Sequence, residues 1–208
     1  MNAPATREKS PAAGPARAVS DNVVKLTGVR TWVIKTEAPH SGGLFWFFIK
    51  LETDQGIEGW GETAVLFTLA GIEDGYERII QGAFETFLRG HNALNRELLY
   101  HTLYSHLTAQ HPDYIALGVI SAFDIAMWDI CGKYYGTPVY NLMGGKYRDR
   151  IRTYTYIYDF TKRSSLHDSL QSWTTDPKRL AELAAGLAAE GFTGLKFDPL
   201  PQWKFRQA

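Results

Sequence analysis

The chain has 208 residues, and its 22 basic and 22 acidic side chains cancel to a formal net charge of zero at pH 7. That balance excludes the net basic surcharge of a polyanion-binding chain, and 45% apolar with 13% aromatic residues excludes wholesale disorder. The single cysteine, Cys131, excludes an intrachain disulfide or a cysteine-cluster zinc site and fits a reducing, cytoplasmic setting.

Residues 1–22 are rich in Ala and Pro with scattered charge (Arg7, Glu8, Lys9, Arg17). They lack the apolar core of a secretory signal and the pattern of a transit peptide, so a disordered tail is expected. The longest apolar stretches, Gly42–Ile49 and Tyr114–Phe123, fall short of the roughly 20 residues of a membrane span. A soluble protein is expected.

Three strands come next. Lys25–Thr36 is rich in β-branched residues, Leu44–Thr53 is strongly aromatic, and Asp54-Gln55-Gly56 turns the chain back into Ile57–Glu62. An antiparallel meander follows from this order. The period then changes to 3.6: Tyr76, Ile79, Ile80, Ala83, Phe84, Phe87 and Leu88 share one face of a helix over Ile72–Leu88. Leu99, Leu103 and Leu107 mark a second helix over Leu94–Leu107. A third, Tyr114–Tyr134, is apolar nearly all round, which predicts a place in the middle of a bundle.

After Gly144-Gly145 the pattern reads strand (Ile151–Tyr158), long connection, helix (Lys178–Glu190) and strand (Thr193–Asp198), with Asp176 and Pro177 as helix-start signals. This is a βαβ unit, hence a parallel pair. A single parallel pair cannot cover both its faces, so residues 146–208 look unfinished on physical grounds.

Lys196 and Asp198 share one face of the last strand, at the edge where parallel sheets and barrels place their chemistry. Two readings stand side by side: a base or carboxylate clamp, or a plain strand-end ion pair. The 159–175 connection is longer than an ordinary βα loop and reads as a lid or a disordered tract. His167, Asp168 and Trp173 lie within it, His167 most simply as a solvated loop histidine. Asp124 and Asp129 fall on different faces of the third helix and are expected to pair with Lys or Arg or to cap a neighbouring loop. His101, His106 and His111 match no zinc spacing and read as surface or partly buried histidines. Gly59-Trp60-Gly61 lacks the spacing of a nucleotide loop.

From Ser121 to Lys133 (SAFDIAMWDICGK), through Gly136-Thr137-Pro138-Val139 and Leu142-Met143-Gly144-Gly145, the chain resembles the mandelate racemase/muconate lactonising enzyme family of the enolase superfamily. Asp54–Glu62 (DQGIEGWGE) matches the same family's N-terminal domain. The resemblance implies an α+β capping domain over residues 23–140, a three-stranded antiparallel meander plus a three-helix bundle. It implies that residues 141–208 are the linker and first βαβ unit of an incomplete (β/α) barrel. Family members bind Mg2+ through three carboxylates on the third to fifth barrel strands, so no metal ligand is expected within this chain. Many members carry Lys-x-Lys on the second strand; here Lys196-Phe197-Asp198 departs from it and looks more like the sugar-acid dehydratases. In that likeness Lys196 contacts the substrate carboxylate and Asp198 is polar support. Two capping loops, Glu37–Gly43 and Thr63–Gly71, set specificity in the family and place His40 and Phe67 as substrate contacts. The resemblance thus implies an N-terminal fragment of a Mg2+-dependent sugar-acid dehydratase, inactive alone, with a sugar-acid substrate and a homo-oligomeric state. No nucleic acid or membrane partner is expected. A racemase or cycloisomerase fragment and a non-catalytic interaction module are the alternatives.

Overall fold

The computed structural model describes residues 22–36, 45–65, 71–110, 113–157 and 176–197. Strands β1 (Leu26–Lys35), β2 (Phe45–Thr53) and β3 (Gly59–Val65) form an antiparallel sheet in the order β1-β2-β3. Alternation along β2 decides which face is inside: Phe47, Ile49 and Leu51 are fully buried, whereas Trp46, Phe48 and Lys50 on the other face are half-buried. Gly56 takes φ 71°, as the turn requires. β3 starts two residues later than expected and runs three further. The Thr53 hydroxyl accepts from Ile57 N at 3.0 Å and donates to Ile57 O at 2.7 Å, which holds Ile57 in the turn.

Helix α1 (Glu73–Ala83) passes into a π-helical turn, Phe84–Leu88, where Arg89 N–H reaches back to Phe84 O at 3.0 Å. The expected single face is therefore narrower than supposed: Tyr76, Ile80, Ala83, Phe84 and Leu88 are buried, while Ile79, at the fringe of the stripe, is 43% exposed. Helix α2 (Arg96–Leu107) buries Leu99 and Leu103. Helix α3 (Tyr114–Tyr134) begins where Asp113 Oδ1 accepts from Ala116 N at 2.7 Å.

α3 lies along β3 rather than at the centre of a bundle, which corrects the expectation drawn from its composition. Val119, Ile120, Phe123, Met127 and Ile130 form the buried face, each contributing about 1.5–3 kcal/mol of gross burial energy. Tyr114, Leu117 and Ile125 stay exposed on the opposite face. α3 also overturns the statement that no apolar run reaches spanning length: its 21 residues are long and apolar enough to cross a membrane, with a window mean hydropathy of 1.6. Asp124 and Asp129 interrupt the run to the eye, yet the average stays at 1.6 with both inside the window. The sheet accounts for the composition, since 56% of that window is buried within the protein.

Contact between α3 and β3 depends on two glycines. A Cβ on Gly59 would lie 2.1 Å from Ala126 O, and one on Gly61 2.0 Å from Ala122 O. Polar pins hold the same contact, because Asp129 Oδ2 accepts from Trp60 N at 2.8 Å and Lys133 Nζ donates to Glu58 O at 2.7 Å. On the outer sheet face Trp32 and Trp60 stack at 5.0 Å across β2, and Lys50 bonds Glu58 beneath them at 2.5 Å.

The short helix α4 (Val139–Leu142) follows α3 and leads to Gly144 and Gly145, both at positive φ. Beyond them β4 (Thr155–Tyr156) pairs in parallel with β5 (Leu195–Lys196), and α5 (Pro177–Ala189) lies between them in sequence. Asp176 caps α5, accepting from Lys178 N at 3.0 Å, with Pro177 at its first position, as the sequence predicts. Both strands are shorter than expected, since among the described residues each ladders only on the other, and Ile151 is 79% exposed. α5 buries no residue completely.

Candidate functional site

Two regions bear on chemistry. The first is one end of the three-stranded sheet. Lys35 pairs with Phe45, and Phe45 with Val65, so the β1–β2 and β3–α1 connections leave from that same end. His40 and Phe67 belong to these connections and lie outside the described residues. The register supports the pairing of the two loops while leaving both residues' contacts untested.

The second region is the parallel pair. Thr155 N donates to Gly194 O at 3.2 Å and Ile157 N to Lys196 O at 3.0 Å, which fixes Tyr156 opposite Lys196. Arg152 fastens the approach to β5, its Nε donating to Thr193 Oγ1 at 2.8 Å and its Nη2 to Thr193 O. Lys196 and Tyr156 share a face as register partners, and Tyr154, two residues earlier, joins them. The Lys196 ammonium lies 4.7 Å from the Tyr156 ring centroid and 5.9 Å from that of Tyr154. Such contacts favour the charged ammonium. Tyr154 and Tyr156 escaped the reading of the sequence. Their signal was present in the Thr-Tyr-Thr-Tyr alternation, which puts both rings on one strand face. Asp198, His167, Asp168 and Trp173 lie outside the described residues.

The remaining candidates are structural. Asp124 Oδ1 bonds Arg96 Nη1 at 2.5 Å, and that guanidinium sits 4.2 Å from the Trp128 ring centroid. Asp129 is held by Lys133 at 2.7 Å as well as by Trp60 N–H. The pairing expected for both aspartates is observed. His101 meets Glu97 at 3.2 Å, and the His106 ring lies tilted against Phe87, centroids 4.9 Å apart; both are surface histidines, and His111 lies outside the described residues. Burial pushes the Cys131 thiol pKa up, away from nucleophilic use. A hollow of about 360 Å³ beside the end of α3 is lined by Asp129, Lys133, Gly136, Thr137 and Pro138, and its two charged groups already serve the β3 pins. The resemblance implies Mg2+, but among the described residues no three His, Cys, Asp or Glu side chains converge. Those residues offer no Mg2+ donor set, and no metal-dependent step follows from them.

The mandelate racemase/muconate lactonizing enzyme N-terminal domain model matches residues 42–144, the span that holds β2, β3, α1, α2 and α3. Over that span, about half of the chain, the sequence is similar to the N-terminal domain of the mandelate racemase/muconate lactonizing enzyme family. Among solved members, the mandelate racemase/muconate lactonizing enzyme from Sulfitobacter sp is 38% identical with a TM-score of 0.71, covering 85% of this chain and 42% of that one. The family protein from Jannaschia sp. CCS1 is 34% identical with the same TM-score, covering 85% and 44%. Among curated relatives, D-galactonate dehydratase of Variovorax paradoxus is 36% identical over 137 residues, which are 64% of this chain and 31% of that protein. The D-galactonate dehydratase of Ralstonia nicotianae is 36% identical over 115 residues, 54% of this chain and 28% of that one. The chain thus spans under a third of these curated relatives' length.

Proposed function

We propose that this chain is the capping domain and first βαβ unit of a sugar-acid dehydratase acting on an aldonic acid of the D-galactonate type. The observation that carries the reading is the 36% identity to the D-galactonate dehydratase of Variovorax paradoxus over 137 residues, a stretch longer than the 103 residues (144 − 42 + 1) of the N-terminal domain match. In the reaction, the proton α to the carboxylate leaves, the β-hydroxyl departs as water, and the enol so formed becomes a 2-keto-3-deoxy acid. The chain's share is recognition. Lys196 meets the substrate carboxylate as a charged ammonium, Asp198 supports it, and His40 and Phe67 touch the substrate from the two loops at the sheet end. Residues 23–140 serve as the cap and 141–208 as the linker and barrel start, in a homo-oligomeric cytoplasmic enzyme. Mg2+ dependence comes to the proposal from the family resemblance alone.

The test compares two proteins with D-galactonate and Mg2+, with and without EDTA, and measures the 2-keto-3-deoxy acid. One is this 208-residue chain; the other is the chain extended by the remaining barrel of the Variovorax paradoxus relative. Product from the extended protein alone, abolished by EDTA, is the expected result. Turnover by the 208-residue chain overturns its assignment to recognition only. A folded extended protein that dehydrates no aldonic acid overturns the dehydratase reading.

A further inference from the structure

The ammonium of Lys196 stands among aromatic rings, and nothing in the proposed recognition step accounts for them. Tyr156 is its cross-strand register partner and Tyr154 lies two residues back on the same face, their ring centroids 6.3 Å apart. The nearer ring is 4.7 Å from Nζ and the farther 5.9 Å, both within the roughly 6 Å over which a ring quadrupole attracts a cation. Lys196 is exposed, so an unconstrained side chain would sample several rotamers, and long side chains lose up to about 2 kcal/mol of rotamer entropy when fixed. A cradle of two rings bears part of that cost before any ligand arrives.

We propose that Tyr156, assisted by Tyr154, is a positioning residue that holds the Lys196 ammonium charged and aimed for a substrate carboxylate. The proposal deepens the dehydratase reading and rests on it for the identity of the anion. It assigns the tyrosines no bond-making step. Each acts on substrate through the lysine. Lysine without the rings would still attract a carboxylate, but from a broader set of orientations and with weaker binding.

The experiment uses the 208-residue chain with 13C-labelled lysine, the Lys196 ε-methylene signal being assigned by its loss in Lys196→Arg. Ring currents shift a methylene stacked over a tyrosine upfield. The expected result is an upfield Lys196 signal that Tyr156→Phe retains, Tyr156→Leu loses and Tyr154→Leu diminishes. In the extended protein with Mg2+, D-galactonate then perturbs this signal, with binding about two- to five-fold weaker in Tyr156→Leu and unchanged in Tyr156→Phe. A wild-type signal coincident with the other lysines overturns the cradle, and that measurement needs no variant to fold. A shift unaltered in Tyr156→Leu overturns it too. An upfield signal that galactonate leaves unmoved in the extended protein with Mg2+ sustains the cradle and refutes the sugar-acid reading, so the two failures are distinguishable.

Discussion

Replacing Gly61 with alanine is the sharpest probe of how the sheet and α3 fit. The added Cβ would meet the Ala122 carbonyl oxygen at 2.0 Å and the Ala126 nitrogen at 3.1 Å. Ordinary contact begins near 3.4 Å, so the helix must retreat from β3 by more than an ångström. Both partners are backbone, and no rotamer change can absorb the clash. A gap of 0.5–1 Å forfeits roughly a quarter to a half of the dispersion well, and the retreat opens one along Phe123, Met127 and Ile130, which are fully buried. Overpacking by itself costs about 1–3 kcal/mol. With the loosened helix face added, Gly61→Ala should cost about 3–5 kcal/mol, a large part of the about 5–15 kcal/mol that holds a domain folded. Gly82→Ala is the control. That glycine lies within α1, its Cβ would meet nothing within 4 Å, and the change should stabilise by about 0.5–1 kcal/mol. Urea unfolding followed by tryptophan fluorescence reads both, since Trp60 lies in β3 and Trp128 in α3. A Gly61→Ala midpoint within about 0.5 kcal/mol of wild type would refute the close-approach argument.

Further outcomes follow from the same core. Burial raises the Tyr76 phenol pKa above its ordinary value, with the Thr63 hydroxyl at 3.1 Å as its partner. A raised folded value means that its stabilisation is complete below the unfolded pKa of about 10 and is lost as pH rises through the folded value. Tyr76→Phe should therefore be less stable by about 1 kcal/mol at neutral pH, with the gap closing in alkaline urea titrations; a gap constant with pH counts against the burial argument. Cys131 should react with a disulfide reagent at mild alkaline pH many times more slowly in the folded protein than in urea, because burial raises its thiol pKa. Equal rates would place it at the surface. Asp129→Ala strips Trp60 N–H of its acceptor and Lys133 of its partner, and should cost about 1–2 kcal/mol. Thermal unfolding reads this as a drop of a few degrees, and an unchanged Tm would mean that the β3 pins are ornamental.

What could be read from residues alone divides along a physical line. Local signals survived: the β2 alternation, the Gly56 turn, the bounds of α3 and the Asp176-Pro177 start of α5 are all set by neighbours within a few positions. Choices that depend on a distant partner did not. The extension of β3 to Val65 follows from its register with Phe45, and the π-helical turn at Phe84–Leu88 follows from packing, so neither has a local code. α3 was placed inside a bundle because its composition reports how apolar a helix is and not which face meets what. The glycines of the Gly59-Trp60-Gly61 stretch, dismissed as a nucleotide loop, carry the missing information, since only residues without a Cβ let a helix come so near a strand.

The site was legible in the same uneven way. Lys196 was found because a charged residue in a short apolar strand stands out against its neighbours. Tyr154 and Tyr156 were missed because tyrosine is ordinary in strands, and their meaning appears only once β4 and β5 are set in register, 40 positions apart (196 − 156). That register also bears on the two readings of the lysine that were left open. A base must shed its proton near neutrality, which calls for an apolar pocket or a neighbouring cation. Lys196 instead faces two electron-rich rings from an exposed strand end, and both features favour the charged form. If the lysine is a fixed cation, the proposed dehydratase reading assigns proton abstraction to another group, and the departure from Lys-x-Lys at Asp198 ceases to be an anomaly. A second lysine at that position would repel the first, whereas an aspartate does not. Asp198→Lys in the extended protein should therefore weaken D-galactonate binding and leave the chain without racemase activity; gain of racemisation would show that the strand end, and not the tyrosine cradle, decides the role of Lys196.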